Sequence, residues 1–559
     1  MSEYQIKSPK KLIEVALPLD DINEASIREK LIQHGNPATL HLWWARRPLA
    51  SARAVIFAQM VNDPLWHFEI EGKSPSPQEK AAATKKREKL FRIIRELVKW
   101  ENTTNEKLLN EARDEIKTSW CETCTLNKDH PQADTLFNPN ILPSFHDPFA
   151  GGGALPLEAQ RLGLESYASD LNPVPVMINK AMIEIPPLFA NSKPIHPKDK
   201  NDWISTGSKT YKGAEGLAED VAYYGKWIRD EAEKKIGHLY PKIKITQEMT
   251  NDRPDLKQYI GDELSIIAYI WARTIKSPNP AFNDVHVPLA STFVLSKKKD
   301  KEAWIEPIIN GKNYSFKVHI GKYPKEAENG TKTGSKGSNF KCLLSSSPIE
   351  SNYVHTEFKL KNDSEVLLAI IAEGTRGRTY LDAKYAYNPT EISPNWIPDT
   401  EMEQKSSNLI SGRGYGIKKW HEIFTKRQLV ALSTFSEIIS STEEKIKNDA
   451  ILSGLEDDSI GIEKLGKGAK AYSQALSVYL SFILDKCAAY WTKICAWHNT
   501  KTTIQQTFGR QAIPMIWDFA EVNPFSDSTG NWNSMVNWEV EALKNFAPTS
   551  QGFSIQKEA

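Results

Sequence analysis

The segment His146-Asp147-Pro148-Phe149-Ala150-Gly151-Gly152-Gly153 constrains this chain more than any other. An apolar run leads into it, three consecutive glycines close it, and Ala154 to Gly163 follows with Leu155, Ala159 and Leu162 at helical spacing and Gly163 placed as a helix stop. A short strand, Glu165 to Ser169, comes next and ends in Asp170-Leu171-Asn172-Pro173. The order is strand, glycine-rich turn, helix, strand, acid. Glycines let a ligand approach the backbone, and an acid roughly 20 residues on is placed to take a ribose hydroxyl pair, so this order predicts a nucleotide-type site. Neither G-x-G-x-x-G nor G-x-x-x-x-G-K-[ST] is present, which disfavours a nicotinamide cofactor or a triphosphate. Asp147 at the mouth of the turn would repel phosphate but can accept hydrogen bonds from an ammonium group. The competing reading is a tight turn with no ligand.

The Asp147 to Gly153 string, followed by Ser169-Asp170-Leu171-Asn172-Pro173, closely resembles the S-adenosylmethionine site of amino-methylating DNA methyltransferases. Near the N-terminus, Gly35-Asn36-Pro37-Ala38-Thr39-Leu40-His41-Leu42-Trp43-Trp44-Ala45-Arg46-Arg47-Pro48-Leu49 resembles the opening signature of a bacterial and archaeal family of adenine-specific DNA methylases containing a zinc ribbon, some members of which sit in anti-phage defence loci. Val287-Pro288-Leu289, Phe424 to Leu432 and Phe508 to Glu521 are similar to the same family. The resemblance implies an α/β fold: a Rossmann-like S-adenosylmethionine-dependent methyltransferase core, incomplete, with helical insertions and a β-rich zinc-ribbon-like module. It implies that Asp147, Pro148, Phe149, Ala150, Gly151, Gly152 and Gly153 hold the cofactor, its ammonium near Asp147 and the backbone of Phe149 and Gly151. Asp170 would take the ribose, with Asn172 beside it, while Asn36, Pro37 and Thr39 cover the methionine end. The implied substrate is DNA, methylated at adenine N6 on a flipped base. Alignment would supply most of the catalysis, because a sulfonium is already a strong electrophile.

Two departures from that pattern matter. Amino-methyltransferases carry a [DN]-P-P-[YFW] tetrapeptide that accepts hydrogen bonds from the target amino group and stacks on the flipped base, and none occurs in this sequence. The nearest strings are Ile185-Pro186-Pro187-Leu188 and Asn523-Pro524-Phe525-Ser526. The chain therefore reads as stopping before its catalytic half. It is expected to be part of a DNA adenine N6-methyltransferase, or else a non-catalytic or split subunit that binds cofactor or DNA and needs a partner chain bearing the tetrapeptide. The second departure is in the zinc ribbon. Ser277, Phe282 and Ser345 stand at expected ligand positions and only Cys342 remains, whereas a closed zinc site needs four thiolate or imidazole ligands, so no metal is expected. Cys121-Glu122-Thr123-Cys124, with His130 and His146 nearby, lacks a second pair and reads as two reduced thiols.

The seven expected segments are an N-terminal helical segment covering the cofactor site (1–66), a charged helical insertion (67–139), the cofactor-binding half of the core (140–190), a helical region (191–276), the β-rich module (277–400), a second helical region (401–510) and a return to the core (511–559). In the insertion, Lys80, Lys85, Lys86, Arg87, Lys89, Arg92, Arg95 and Lys99 alternate with apolar residues, which fits either a solvated helical hairpin or an arm that contacts phosphate. Leu217, Val221, Tyr224, Ile228 and Ala232 predict a helix over 214–237, and another is expected from Gly261 to Lys276. Short apolar runs at 292–295, 304–309, 316–320 and 367–371 predict strands, with a Gly/Ser/Lys loop at 329–339 between them. Thr425 and Gln428 form a capping-box pair. The aromatic stripe from Ala471 to Trp497 reads as helical core, Ile513 to Phe519 as a strand and Asn523 to Asn531 as a loop.

With 559 residues, 40 % of them hydrophobic and 25 % charged, the chain can form several globular domains. Its net charge of +1 exerts no global pull on nucleic acid, so DNA contacts must come from local basic patches. Trp43, Trp44, Arg46 and Arg47 offer stacking surface and phosphate-pairing forks, or else pack into the core and pair with carboxylates. Five cysteines, no signal peptide and no long apolar run point to a cytoplasmic protein with no membrane contact.

Overall fold

The computed structural model describes residues 5–32, 34–197, 210–334, 337–375, 377–386, 392–509, 511–546 and 550–559. Ser335, Lys336 and Arg510, which belong to segments discussed above, lie outside these. The chain divides into two compact units, one of residues 1–224, 442–482 and 537–559, the other of 225–441 and 483–536.

In the first unit, helices α1 (Leu19–Glu29), α2 (Leu49–Met60), α3 (Pro77–Leu97) and α4 (Glu106–Leu126) precede β1 (Phe145–Asp147), α5 (Ala154–Arg161), β2 (Ser166–Asp170) and α6 (Pro173–Asn179). Ser76 and Glu79 close a reciprocal capping box at the start of α3, with Pro77 at the first helical position, where its missing N–H costs nothing. Gly163 takes φ 89° just past α5 and stops it, as the sequence predicts. β1 pairs parallel with β2, and β2 pairs parallel with the C-terminal strand Gly552–Gln556. β1 is thus an edge. Phe145 donates its N–H to Glu165 O at 2.8 Å, so the alternate residue His146 turns its backbone N–H and C=O to the open side.

Helix α5 is buried on nearly every side, charges included. Glu158 is 0 % and Arg53 2 % exposed, and their side chains meet at 2.5 Å. Arg161 lies 3.1 Å from the same carboxylate. Arg53 also donates to Leu97 O, and Arg161 donates to Thr103 O at 2.6 Å. Burial works against ionisation of Glu158, but the two guanidiniums outweigh it and hold its pKa below the usual range.

The second unit is built on an antiparallel sheet of β3 (Ile266–Lys276), β4 (His286–Leu289), β8 (Ser364–Gly374), β9 (Gly377–Asp382) and β12 (Asp518–Val522), in the order β9-β8-β3-β12 with β4 also on β3. A smaller sheet holds β5 (Val294–Ser296), β6 (Ala303–Asn310) and β7 (Asn313–Ile320), and β10 (Ala496–His498) pairs with β11 (Thr503–Gln505). The helix expected from Gly261 to Lys276 is instead the central strand β3. Ile266, Ile267, Ile270, Thr274 and Ile275 are β-branched and buried, and a strand covered on both faces reads as a continuous apolar run, which periodicity alone cannot tell from a buried helix.

Other expectations shift at their ends. The helix over 214–237 runs Glu215–Ile236, and the strand expected from Ile513 starts only at Asp518. The aromatic stripe forms Ala469–Ala488 and then gives way to β10; Tyr472, Tyr479, Phe482 and Trp491 are all buried. The capping box holds: Thr425 N–H donates to Gln428 at 2.8 Å, and Gln428 N–H donates to the Thr425 hydroxyl at 3.1 Å. Among the described residues no helix is long and apolar enough to cross a membrane.

Replacing Glu158 by Gln leaves two buried guanidiniums without a counter-charge, and breaking such a cluster costs about 3 kcal/mol or more. Urea unfolding followed by circular dichroism should show that loss near neutral pH. Because the Glu158 pKa is depressed, the contribution is present above its unfolded value, and the gap between variant and parent should close only as pH falls through the folded value. A difference under about 1 kcal/mol at neutral pH would contradict the assignment.

Candidate cofactor site

The turn between β1 and α5 is held by short-range bonds. Asp147 accepts the N–H of Phe149 at 3.0 Å, and Ala150 N–H donates to Ser169 O at 3.1 Å, tying the turn to the end of β2. Asp170 accepts the N–H of Gly151 at 3.1 Å on one oxygen and that of Asn172 at 3.0 Å on the other. Asn172 in turn caps α6 by accepting from Val174 N–H at 2.9 Å. The structure therefore brings Asp147, the glycines, Asp170 and Asn172 together at the carboxyl ends of two parallel strands, the place where open α/β sheets bind ligands. Phe149 and Leu171 lie bare beside them, 77 % and 68 % exposed.

The glycines serve the protein's own packing as well. A Cβ on Gly151 would fall 2.9 Å from Trp43 Nε1, and one on Gly152 would fall 2.9 Å from Arg46 Cγ. At Gly153, where φ is 75°, it would meet Asn179 Oδ1 and Met182 Cε at 2.8 Å. Trp43 and Arg46 thus lie over the turn. Trp44 is 43 % exposed and Arg47 is also exposed. Asn36 accepts from Ala38 N–H at 2.9 Å, Thr39 donates to Asn36 O at 2.6 Å, and Pro37 is buried, so these residues shape the turn before that cover.

Among the described residues, two buried polar atoms beside the turn have no hydrogen-bond partner: Arg46 Nε and Asn179 Oδ1. Burial pulls the Arg46 pKa down to about 10, which leaves it a cation at neutral pH. Asn179 also donates its amide to Gly151 O at 3.1 Å. Sequence reasoning did not single out Asn179; the signal it carries is an amide inside the apolar run Val176-Met177-Ile178. Buried groups left unpaired in this way are sites for a ligand or water.

The other candidates resolve differently. Ile185–Leu188 is helical and mostly buried. Asn523 donates to Ile266 O at 2.8 Å and accepts from Phe525 N–H at 3.0 Å, so its amide is already engaged by the fold. Cys121 and Cys124 lie along α4, and burial pushes the Cys124 thiol up. Ser277 Oγ sits 3.2 Å from Cys342 Sγ, so two of the positions that resemble zinc ligands do converge, but with a single thiol between them. Burial opposes ionisation of Cys342, yet hydrogen bonds involving Ser277 and Ser345 lower its pKa overall. Among the described residues no group of three or more His, Cys, Asp or Glu could hold a metal ion.

Residues 16–93 match a family model described as Protein of unknown function (DUF1156). That stretch carries Trp43 and Arg46, which lie over the glycine turn, and Arg53. No curated protein and no solved structure matches the chain.

At Gly153 both strain and space oppose a side chain, whereas Gly72 has a left-handed φ of 65° but nothing within 4 Å of an added Cβ. Gly72→Ala should cost about 1–2 kcal/mol from φ alone, and Gly153→Ala a further 1–3 kcal/mol or so from overpacking. Equal losses in denaturant unfolding would show that the crowding at Gly153 is absent. Elemental analysis of purified chain should find well below one zinc per chain, because Ser277, Phe282 and Ser345 leave Cys342 as the one thiol among these four positions; a stoichiometric zinc released only by denaturation would overturn this.

Proposed function

We propose that this chain is the S-adenosylmethionine-binding part of an amino-methylating DNA methyltransferase acting on adenine N6, with an α/β methyltransferase-type core formed around β1 and β2. The observation that carries the reading is Asp170, fixed at the end of β2 by Gly151 and Asn172 N–H groups, with Phe149 and Leu171 bare at its side. A carboxylate has about four acceptor positions, so Asp170 keeps capacity for ribose hydroxyls, while the two apolar side chains suit the flat face of a purine. The unpaired Arg46 Nε and Asn179 Oδ1 support a bound group with both acceptor and donor atoms. When bound, the cofactor supplies an electrophilic methyl group; the chain's own residues bind and orient it.

A specific observation favours a split arrangement. No [DN]-P-P-[YFW] is present, and at the open edge of β1 the His146 backbone groups have no strand partner among the described residues. An exposed edge templates strand addition. In this reading a further polypeptide carrying the tetrapeptide pairs with β1 and sets the target base against the methyl group. Five cysteines without a disulfide support a cytoplasmic setting.

Calorimetric titration of the chain with S-adenosylmethionine should show binding that weakens by about tenfold or more in Asp170→Ala and likewise in Gly151→Val. Undiminished affinity in both variants would move the site elsewhere. With labelled cofactor and mixed-sequence DNA, the chain alone should transfer no methyl group, and adding the polypeptide that bears the tetrapeptide should restore transfer.

A further inference from the structure

The basic residues of this protein are not used alike. On the α3–α4 hairpin, every cation from Arg87 to Lys99 has a carboxylate: Arg87 with Asp63 at 2.7 Å, Lys89 with Glu115 at 2.6 Å, Arg92 with Glu111, Arg95 with Asp21 at 3.0 Å and Lys99 with Glu96 at 2.6 Å. These five cations are already neutralised. In the second unit, residues 297–328 hold eight lysines against five carboxylates, in a chain whose net charge is only +1.

The fold gathers most of that charge at one end of the β5–β6–β7 sheet. The β5–β6 turn carries Lys297, Lys298, Lys299 and Lys301, with Asp300 and Glu302 between and after them. β6 and β7 pair with Ala303 opposite Ile320, and Gly321 N–H donates to Glu302 O at 2.8 Å, which brings Lys322 and Lys325 alongside. Lys297 N–H donates to Asn499 O at 3.0 Å, and Trp497 Nε1 donates to Leu295 O at 2.7 Å, which seats the β10–β11 turn and its Lys501 against the same crest. Lys297 pairs with Glu328 at 2.9 Å. Lys298, Lys299, Lys322, Lys325 and Lys501 are exposed and form no ion pair among the described residues. Aromatic faces lie among them: Trp304 stacks on His319 with centroids 4.7 Å apart, and the Arg378 guanidinium lies 5.5 Å over the Trp497 ring. Arg378 donates to Thr502 and Ser528, which fixes its plane, while its Nε stays buried and unpaired.

We propose that this crest is a docking surface for the phosphodiester backbone of DNA. Three chain turns hold unpaired cations at one edge at a cost in mutual repulsion, and a polyanion removes that repulsion while releasing its own counterions. Lysines around partly exposed indoles are the pattern of backbone tracking with stacking. The choice of DNA among polyanions rests on the methyltransferase reading; the charge pattern itself does not depend on it.

The test is fluorescence anisotropy of the full chain on a labelled mixed-sequence DNA duplex, across a salt series and without cofactor. Binding is expected, with log affinity falling linearly in log salt. Lys298→Glu/Lys299→Glu and Lys322→Glu/Lys325→Glu should each weaken it about tenfold or more, and each should flatten the salt slope by about 2, near one per lysine lost from a phosphate. The corresponding Gln pairs should flatten the slope in the same direction, and thermal unfolding of all four variants should match the parent. Lys85→Glu/Lys86→Glu on α3 should leave binding unchanged. The crest variants should leave calorimetric binding of S-adenosylmethionine as it is in the parent, so failure of the cofactor site is read separately. Four results would overturn the proposal: no DNA binding by the parent, parent-like binding by both Glu pairs, an equal loss in the α3 variant, or a crest effect seen only on phosphatidylserine vesicles.

Discussion

The Arg53–Glu158–Arg161 cluster is the interaction on which the first unit depends. Three charges are taken out of water, and the geometry compensates: one carboxylate between two guanidiniums, with the carbonyls of Leu97 and Thr103 taking further N–H groups. A cluster of this kind adds little net stability over an apolar replacement, but it penalises every packing that leaves one member alone. Here it joins α2, the end of α3 and the turn after it to the helix that follows the glycines. Glu29 adds a second pin by accepting the N–H groups of Leu49 and Ala50 at the start of α2. With α1 and α2 fixed in this way, the connection between them is held where Trp43 and Arg46 lie on the turn. The stretch that matches the DUF1156 model contributes, in physical terms, the cover of that turn and one member of the clamp, Arg53.

Much of the turn was legible in the sequence. Gly151 and Gly153 take φ 47° and 75°, Gly163 ends α5, Asn172 caps α6 and Asp170 ends β2, each a local effect of residue type on backbone. What could not be read was long-range. Nothing local to Gly151 or Gly152 says that the close neighbour there is Trp43 or Arg46, more than 100 residues away in sequence. Nothing local to Asn179 says that its amide reaches back to Gly151 O. Gly261 to Lys276 reads as a helix for a related reason, since a run buried on both faces loses the alternation that distinguishes strand from helix.

Charge is not used alike along the chain, and composition averages the difference away. The α3–α4 hairpin looks suited to phosphate in sequence, yet each of its cations from Arg87 to Lys99 meets a carboxylate. The lysines of 297–325 are spread over two strands and their turns, and only pairing and loop convergence gather them. In the heart of the second unit the logic returns to full pairing. Glu521 on β12 takes Arg427 at 2.6 Å, Thr425 at 2.6 Å and Trp271 at 2.9 Å, with the guanidinium 4.0 Å over the Tyr269 ring.

The central claim is that the glycine turn and Asp170 form a cofactor site rather than a turn closed only by Trp43 and Arg46. Hydrogen–deuterium exchange of the chain with and without saturating S-adenosylmethionine tests it most directly, because it locates protection along the backbone. The account predicts slowed exchange confined to the peptides holding Phe149 to Gly153, Asp170 to Asn172 and Trp43 to Arg47. Unchanged exchange in all three, or protection at another place in the chain, would contradict it.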